Sequence, residues 1–216
     1  NPDHFNDEWN CKCTRAYPDY PEWSGDGRNA ALVRGCRNYY GLVPTNLTDF
    51  VAASQFVQAN ELKTWIELYR SRKGRMWGVL WWNLRDGWPI ISDGVVDWYF
   101  GKKRAYYAIR ESQRPQLVCA VYDPQLKAVA VNDARHPVRG KAKIVDGTTG
   151  RILLERDFEI AANGKTELGG LDVKGQGVLA IEYEISGQAF TNWFLYGEPP
   201  FDVKRIHDAC SRFAVR

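Results

Sequence analysis

Met76-Trp77-Gly78-Val79-Leu80-Trp81-Trp82-Asn83-Leu84-Arg85-Asp86-Gly87-Trp88-Pro89 holds four of the nine tryptophans of this 216-residue chain. Its first half, Met76 to Trp82, is a near-continuous apolar run. That is how a parallel strand covered on both faces reads. The second half turns polar at Asn83, Arg85 and Asp86, and Gly87 and Pro89 then break it. A buried strand that opens into polar and aromatic groups is the pattern of a barrel strand reaching a ligand site. Tryptophan suits a sugar there, because its flat face packs on the apolar C–H face of a pyranose while its N–H stays available. The plainer alternative is that these rings fill a core.

Helices are expected on both sides of this run. One is predicted around Arg28 to Tyr40, stopped near Gly41. Thr45, Asn46 or Thr48 can cap a second, running to about Lys73. In it, Phe50, Ala53 and Val57 keep three-to-four spacing, as do Leu62, Trp65, Ile66 and Tyr69. Gly74 sits where a C-terminal glycine belongs. After a long loop from Leu84 to Gly101, a third helix covers roughly Lys102 to Gln113 and carries Tyr106, Tyr107 and Ile109. Helix, buried strand, loop and helix form an α/β grammar.

Beyond Pro115 the period changes. Leu179, Ile181, Tyr183 and Ile185 alternate with Ala180, Glu182, Glu184 and Ser186, as in a half-exposed strand. Similar short runs occur at 117–122, 127–131, 141–145, 152–160 and 190–196, with a weaker one near 165–168. Asp146-Gly147, Asn163-Gly164 and Gly175-Gln176-Gly177 mark turns between them. About seven short antiparallel strands in ~85 residues predict an immunoglobulin-like sandwich.

Composition excludes several classes. A chain 44% hydrophobic and 25% charged, with net charge +3, reads as an ordinary globular protein. Its basic clusters are short: Arg70, Arg72, Lys73 and Arg75 fall at and just past the last turn of a helix, and Lys102 to Arg104 stand alone. A nucleic-acid face needs a broader basic surface, so no nucleic-acid partner is expected. No run approaches the ~20 apolar residues of a membrane span, so no membrane partner is expected either. The cysteines, Cys11, Cys13, Cys36, Cys119 and Cys210, and the histidines, His4, His136 and His207, lack metal-ligand spacing. No metal, no cofactor and free thiols are therefore expected. The first residue is Asn and no signal peptide is visible, so the chain reads as processed or as a fragment. Its compartment stays open.

Size adds a constraint. A (β/α)8 barrel takes ~200 residues or more. Only about 115 precede the sandwich, with one convincing buried strand among them. A barrel here implies that most of it lies upstream of Asn1.

The run Trp82-Asn83-Leu84-Arg85-Asp86-Gly87-Trp88-Pro89-Ile90-Ile91-Ser92 resembles the end of the last barrel strand in glycoside hydrolase family 2. It is closest to the β-mannosidase-like branch, whose motif reads Trp-Gln-Leu-Asn-Asp-x-Trp-Pro-Val-x-Ser. Val96-Asp97-Trp98 and Lys102-Lys103-Arg104-Ala105-Tyr106-Tyr107 match that branch's Val-Asp-Tyr and Lys-x-x-Tyr-Tyr. Asp49-Phe50, Ala53-Ser54-Gln55, Val131-Asn132-Asp133 and the segment Phe194 to Phe201 are similar too. The chain departs from the motif at Asn83 (Gln in the family), Arg85 (Asn) and Asp93 (Trp). These departures leave the glycone open among β-mannoside, β-galactoside, β-glucuronide and glucosaminide.

The resemblance implies an α/β plus all-β architecture. Residues 1–114 would be the C-terminal part of a (β/α)8 glycosidase catalytic domain, a TIM barrel. Residues 115–202 would be the immunoglobulin-like β-sandwich, and 203–216 a tail. Retaining glycosidases need two carboxyl groups ~5–5.5 Å apart. The resemblance puts both on earlier strands, so no catalytic residue is expected in this chain. Glu8, the one early carboxylate in a tempting setting, lacks the nucleophile's context and reads as a loop residue. The partners implied are a carbohydrate substrate and the upstream rest of the barrel. By the same resemblance Trp82 would be the platform under the sugar. Asn83 and Asp86 would hydrogen-bond hydroxyls or hold neighbouring loops, and Trp88 would contact substrate or anchor its loop. The alternative is a non-catalytic carbohydrate-binding or structural sandwich module.

Overall fold

The computed structural model describes residues 28–90 and 92–202. The aromatic N-terminal stretch with Glu8, Cys11, Cys13 and His4, and the tail with His207 and Cys210, lie outside the described residues. Among the described residues three helices precede seven strands: α1 (Arg28–Tyr40), α2 (Leu47–Ser71) and α3 (Arg104–Ser112), then β1 (Gln116–Tyr122), β2 (Leu126–Asn132), β3 (Val138–Asp146), β4 (Ile152–Ile160), β5 (Lys165–Gly170), β6 (Gly177–Ile185) and β7 (Gln188–Tyr196). The chain divides into two compact units. Of the described residues, one takes 28–62, 80–90, 92–108 and 199–201; the other takes 63–79, 109–198 and 202.

The second unit is an antiparallel sandwich. β1-β2-β5 form one sheet and β4-β3-β6-β7 the other. Its seven strands fall on the runs read from the alternation, because period two with turn residues between is a local signal. Val118, Ala120, Ala128, Ala130, Ile144, Ile181, Phe194 and Tyr196 meet in its core. In β6 the alternation is visible as burial: Glu182 and Glu184 are exposed while Ile181, Tyr183 and Ile185 are buried. β1 and β2 do not alternate. Their second face, with Leu117, Cys119, Val121, Val129 and Val131, is buried as well and takes Leu68 of α2 against it. Gly140 of β3 is required by close approach, since a Cβ there would stand 2.2 Å from the Glu184 carbonyl oxygen and 2.7 Å from Phe158.

Asp146 ties the β3–β4 turn to β7. Its carboxylate accepts hydrogen bonds from the Thr148 N–H (2.9 Å), the Thr149 hydroxyl (2.7 Å) and the Tyr196 hydroxyl (3.1 Å). Burial pushes its pKa up, but these donors outweigh it and hold the carboxyl below the usual range. A depressed carboxyl contributes stability above its unfolded pKa and loses it as pH falls through the folded value. Asp146→Asn is therefore expected to cost ~1–2 kcal/mol at pH 7. The gap to the parent should narrow as the pH is lowered from 7 to about 2, through a folded value that lies below the unfolded ~3.9. Urea unfolding at the two pH values checks this, and an equal gap at both sinks it.

In the first unit, Asn46 caps α2. Its Oδ1 accepts the Asp49 N–H at 2.9 Å and its Nδ2 donates to the Asp49 carboxylate at 2.7 Å. Val57, Phe50 and Ala53, the expected apolar face, pack with Cys36 and Tyr40 of α1. Gln55 caps α3 by accepting the Arg104 N–H at 3.1 Å. Burial pushes the Cys36 thiol up to about 11. Cys119 is raised by burial and by nearby Glu67. Both thiols are free and buried, which leaves them unreactive.

The expected strand over Met76 to Trp82 does not form. The segment is extended loop, with Trp77 83% exposed, Leu80 100% and Trp82 70%. A parallel strand needs hydrogen-bonding neighbours and cover on both faces. Among the described residues no strand pairs with it. Trp65, expected on the apolar face of α2, is also more than half exposed. No helix among the described residues is long and apolar enough to cross a membrane.

Candidate functional site

The loop from Leu80 to Lys103 is held by one buried carboxylate. Asp86 is fully enclosed and pairs with Lys103 Nζ at 2.8 Å. Its other oxygen accepts the Gly94 N–H at 3.2 Å. Lys103 Nζ also donates to the Ser92 carbonyl oxygen at 3.0 Å. Backbone pairs close the loop around this node: Val95 N–H to Asn83 O, Val96 N–H to Leu84 O, Asp86 N–H to Val96 O, and Lys103 N–H to Val95 O. A Cβ on Gly94 would lie 2.3 Å from the Asp86 carboxylate, so only glycine admits this approach. Both Asp86 carboxylate oxygens are thus engaged within the loop.

Asp97 closes a second, smaller turn by accepting the Gly101 N–H at 2.7 Å. Phe100 adopts φ +67 within it. Gln58 of α2 braces the loop, its side-chain amide donating to the Asp93 carbonyl oxygen at 2.6 Å. Around this frame Trp82, Leu84, Trp88, Trp98, Tyr99 and Phe100 present exposed apolar surface. Trp82 and Trp88 are open and Asn83 is half-buried, so these three expected site residues are accessible. The Trp82–Asn83 peptide bond is cis.

From the sequence, Trp98 entered only as part of a motif match, Tyr99 and Phe100 were left aside, and Arg85 was only a departure from a motif. In the structure they meet. The Arg85 guanidinium lies 4.0 Å from the Phe100 ring centre and 4.9 Å from that of Trp98. The thirteen-residue separation hid this contact, although three consecutive aromatics in a polar loop were a usable signal. Among the described residues, no group of three or more His, Cys, Asp or Glu is arranged to hold a metal.

No family model matches the chain. Among known proteins it is 27% identical over 147 residues to β-mannosidase B of Aspergillus niger, covering 57% of this chain and 17% of that protein. It is 27% identical over 160 residues to exo-β-D-glucosaminidase of Streptomyces avermitilis, covering 70% and 17%. A solved β-D-mannosidase from Dictyoglomus thermophilum superposes with TM-score 0.70 at 25% identity, over 83% of this chain and 23% of that one. An exo-chitosanase from Amycolatopsis orientalis shares the fold, with TM-score 0.63 at 18% identity, over 76% and 21%. The chain thus spans about a fifth of the length of the proteins it matches. Sequence motif, relatives and fold agree, and the chain is a relative of the β-mannosidase-like branch of glycoside hydrolase family 2.

Proposed function

We propose that this chain is the C-terminal part of a retaining exo-glycosidase that hydrolyses terminal β-glycosides. In this reading the two catalytic carboxyl groups come from chain upstream of Asn1. One carboxylate attacks the anomeric carbon. The other protonates the leaving oxygen and then activates water. This chain supplies binding: Trp82 stacks under the sugar, Asn83 meets its hydroxyls and Trp88 lines the entrance. The observation that carries the reading is the exposed Trp82 beside a loop locked by Asp86, in a chain whose relatives are a β-mannosidase and a β-glucosaminidase. An apolar ring left open on a rigid frame is preorganised for a sugar face, because little ordering remains for binding to drive.

The full-length protein should release p-nitrophenol from at least one aryl β-glycoside, and the 216-residue chain alone should release none. Trp82→Ala in the full-length protein should lower kcat/KM about ten- to hundredfold, or ~1.4–2.8 kcal/mol of transition-state binding. Robust turnover by the isolated chain would overturn the upstream placement of the carboxylates. Unchanged kcat/KM in Trp82→Ala would remove Trp82 from the sugar site. Sugar binding without turnover by the full-length protein would replace the enzyme reading with a carbohydrate-binding module.

A further inference from the structure

The chain that leads into Trp82 has few anchors. Among the described residues, Trp77 to Trp82 make no backbone hydrogen bond. The first one after Met76 is at Asn83, whose carbonyl oxygen accepts the Val95 N–H at 3.1 Å. Where Trp82 and Asn83 stand therefore follows from where Val95 stands. The Asn83 side-chain amide has no hydrogen-bond partner among the described residues, so it is left for something else.

Val95 is held closely. It is 1% exposed, and its own carbonyl oxygen accepts the Lys103 N–H at 3.0 Å. The three residues before it are each gripped by a different side chain. Lys103 Nζ donates to the Ser92 carbonyl oxygen at 3.0 Å. The Gln58 side-chain amide donates to that of Asp93 at 2.6 Å. Asp86 accepts the Gly94 N–H at 3.2 Å. Each residue from Ser92 to Val95 thus has a backbone group engaged, and little freedom remains for the segment to shift.

The grips come from regular structure. Gln58 lies on α2, three residues after Gln55, which accepts the Arg104 N–H at the start of α3 at 3.1 Å. Residues three apart share a helix face, so one face of α2 holds both the loop and the helix that follows it. Lys103 directly precedes α3. A site braced by helices is placed more closely than one left to its own loop.

We infer that Gln58 and Lys103 are positioning residues for the sugar site: through the backbone of 92–95 they set where Asn83 and Trp82 stand. This rests on the proposed glycosidase reading, in which those two residues meet the sugar. Neither Gln58 nor Lys103 touches substrate.

The test is a set of double-mutant cycles in the full-length protein, read as kcat/KM on an aryl β-glycoside that it turns over. Gln58→Leu keeps the bulk and removes the donor. It should lower kcat/KM about five- to tenfold, within the ~100-fold that a small misplacement can cost. Lys103→Met should lower it at least about tenfold, and Lys103→Arg should keep it within about threefold of the parent, since the charge and a donor remain. In a Trp82→Ala background, Gln58→Leu and Lys103→Met should lower it by no more than about twofold, because residues that act through one another are not additive. If Lys103→Met fails to fold, Gln58→Leu and Lys103→Arg decide. Unchanged kcat/KM in Gln58→Leu overturns the inference. So does an equal loss with and without Trp82, which would mean that the bracket only keeps the loop folded. If the full-length protein turns over no aryl β-glycoside, the glycosidase reading falls, and the same cycles are read as the Kd of p-nitrophenyl β-glycosides. Weaker binding in Gln58→Leu only when Trp82 is present then supports the inference, and unchanged or absent binding overturns it.

Discussion

Glu67→Gln is expected to destabilise the sandwich unit by about 3–5 kcal/mol, the range for breaking a buried ion pair from one side. Glu67 of α2 is fully buried and pairs with Lys63 at 2.7 Å, and the Lys63 side chain is only 3% exposed. The other carboxylate oxygen accepts from Ser112 of α3 at 3.2 Å and from Asn192 of β7 at 3.1 Å. Asn192 also donates to the Val118 carbonyl oxygen of β1 at 2.9 Å. One carboxylate therefore joins two helices to the sandwich. A glutamine keeps the shape and an acceptor but removes the charge, so the Lys63 ammonium stays buried with no anion. The Trp193 ring, 5.0 Å from that ammonium, offsets only part of the loss.

The double variant Lys63→Met/Glu67→Leu should recover most of the stability, because it removes both charges together. Asn192 keeps its bond to Val118, and the Ser112 hydroxyl can turn to a carbonyl of its own helix. Urea unfolding of the three proteins measures this. A loss under 1 kcal/mol in Glu67→Gln, or a double variant no better than the single, would show that the pair does not anchor the helices.

Asp86→Ala should cost about 3 kcal/mol by the same logic, because Lys103 is nearly buried and keeps only the Ser92 carbonyl. The readout is local as well as global. The Gly94 and Val95 amides should exchange faster, and protease should cut between Leu84 and Lys103 at a higher rate. Asp86→Asn should fall between the two, since an amide oxygen can still accept the Gly94 N–H but not balance Lys103. Because this loop carries Trp88, Trp98 and Phe100, its loosening should also raise ligand dissociation constants. An intact exchange pattern in Asp86→Ala would mean that the backbone pairs alone hold the loop.

The features legible from residues alone were those whose signals are local. Period two in 178–186 and turn dipeptides at 146–147 and 163–164 placed the strands, because alternation and turn chemistry act within a few residues. Asn46 was one of three candidate caps. The structure chose it, because its side chain reaches the Asp49 N–H. The run Met76 to Trp82 misled for the same reason in reverse. Its composition records the cover that a buried strand requires, but composition does not supply the cover, and Trp77, Leu80 and Trp82 within it are exposed.

Local order and the motif Trp82 to Ser92 were thus determined by sequence, through spacing and side-chain type. Tertiary structure alone decided which charges were paired. Lys63 and Glu67 stand at helical i,i+4 spacing, which on an exposed helix is worth a few tenths of a kcal/mol. Only the packing of β1, β7 and α3 buried them and made them an anchor. Asp86 met Lys103 seventeen residues away, while Arg85, beside it in sequence, was left to two aromatic rings. Adjacent residues on an extended chain point in different directions, and which of them reaches a counter-charge depends on where the loop returns.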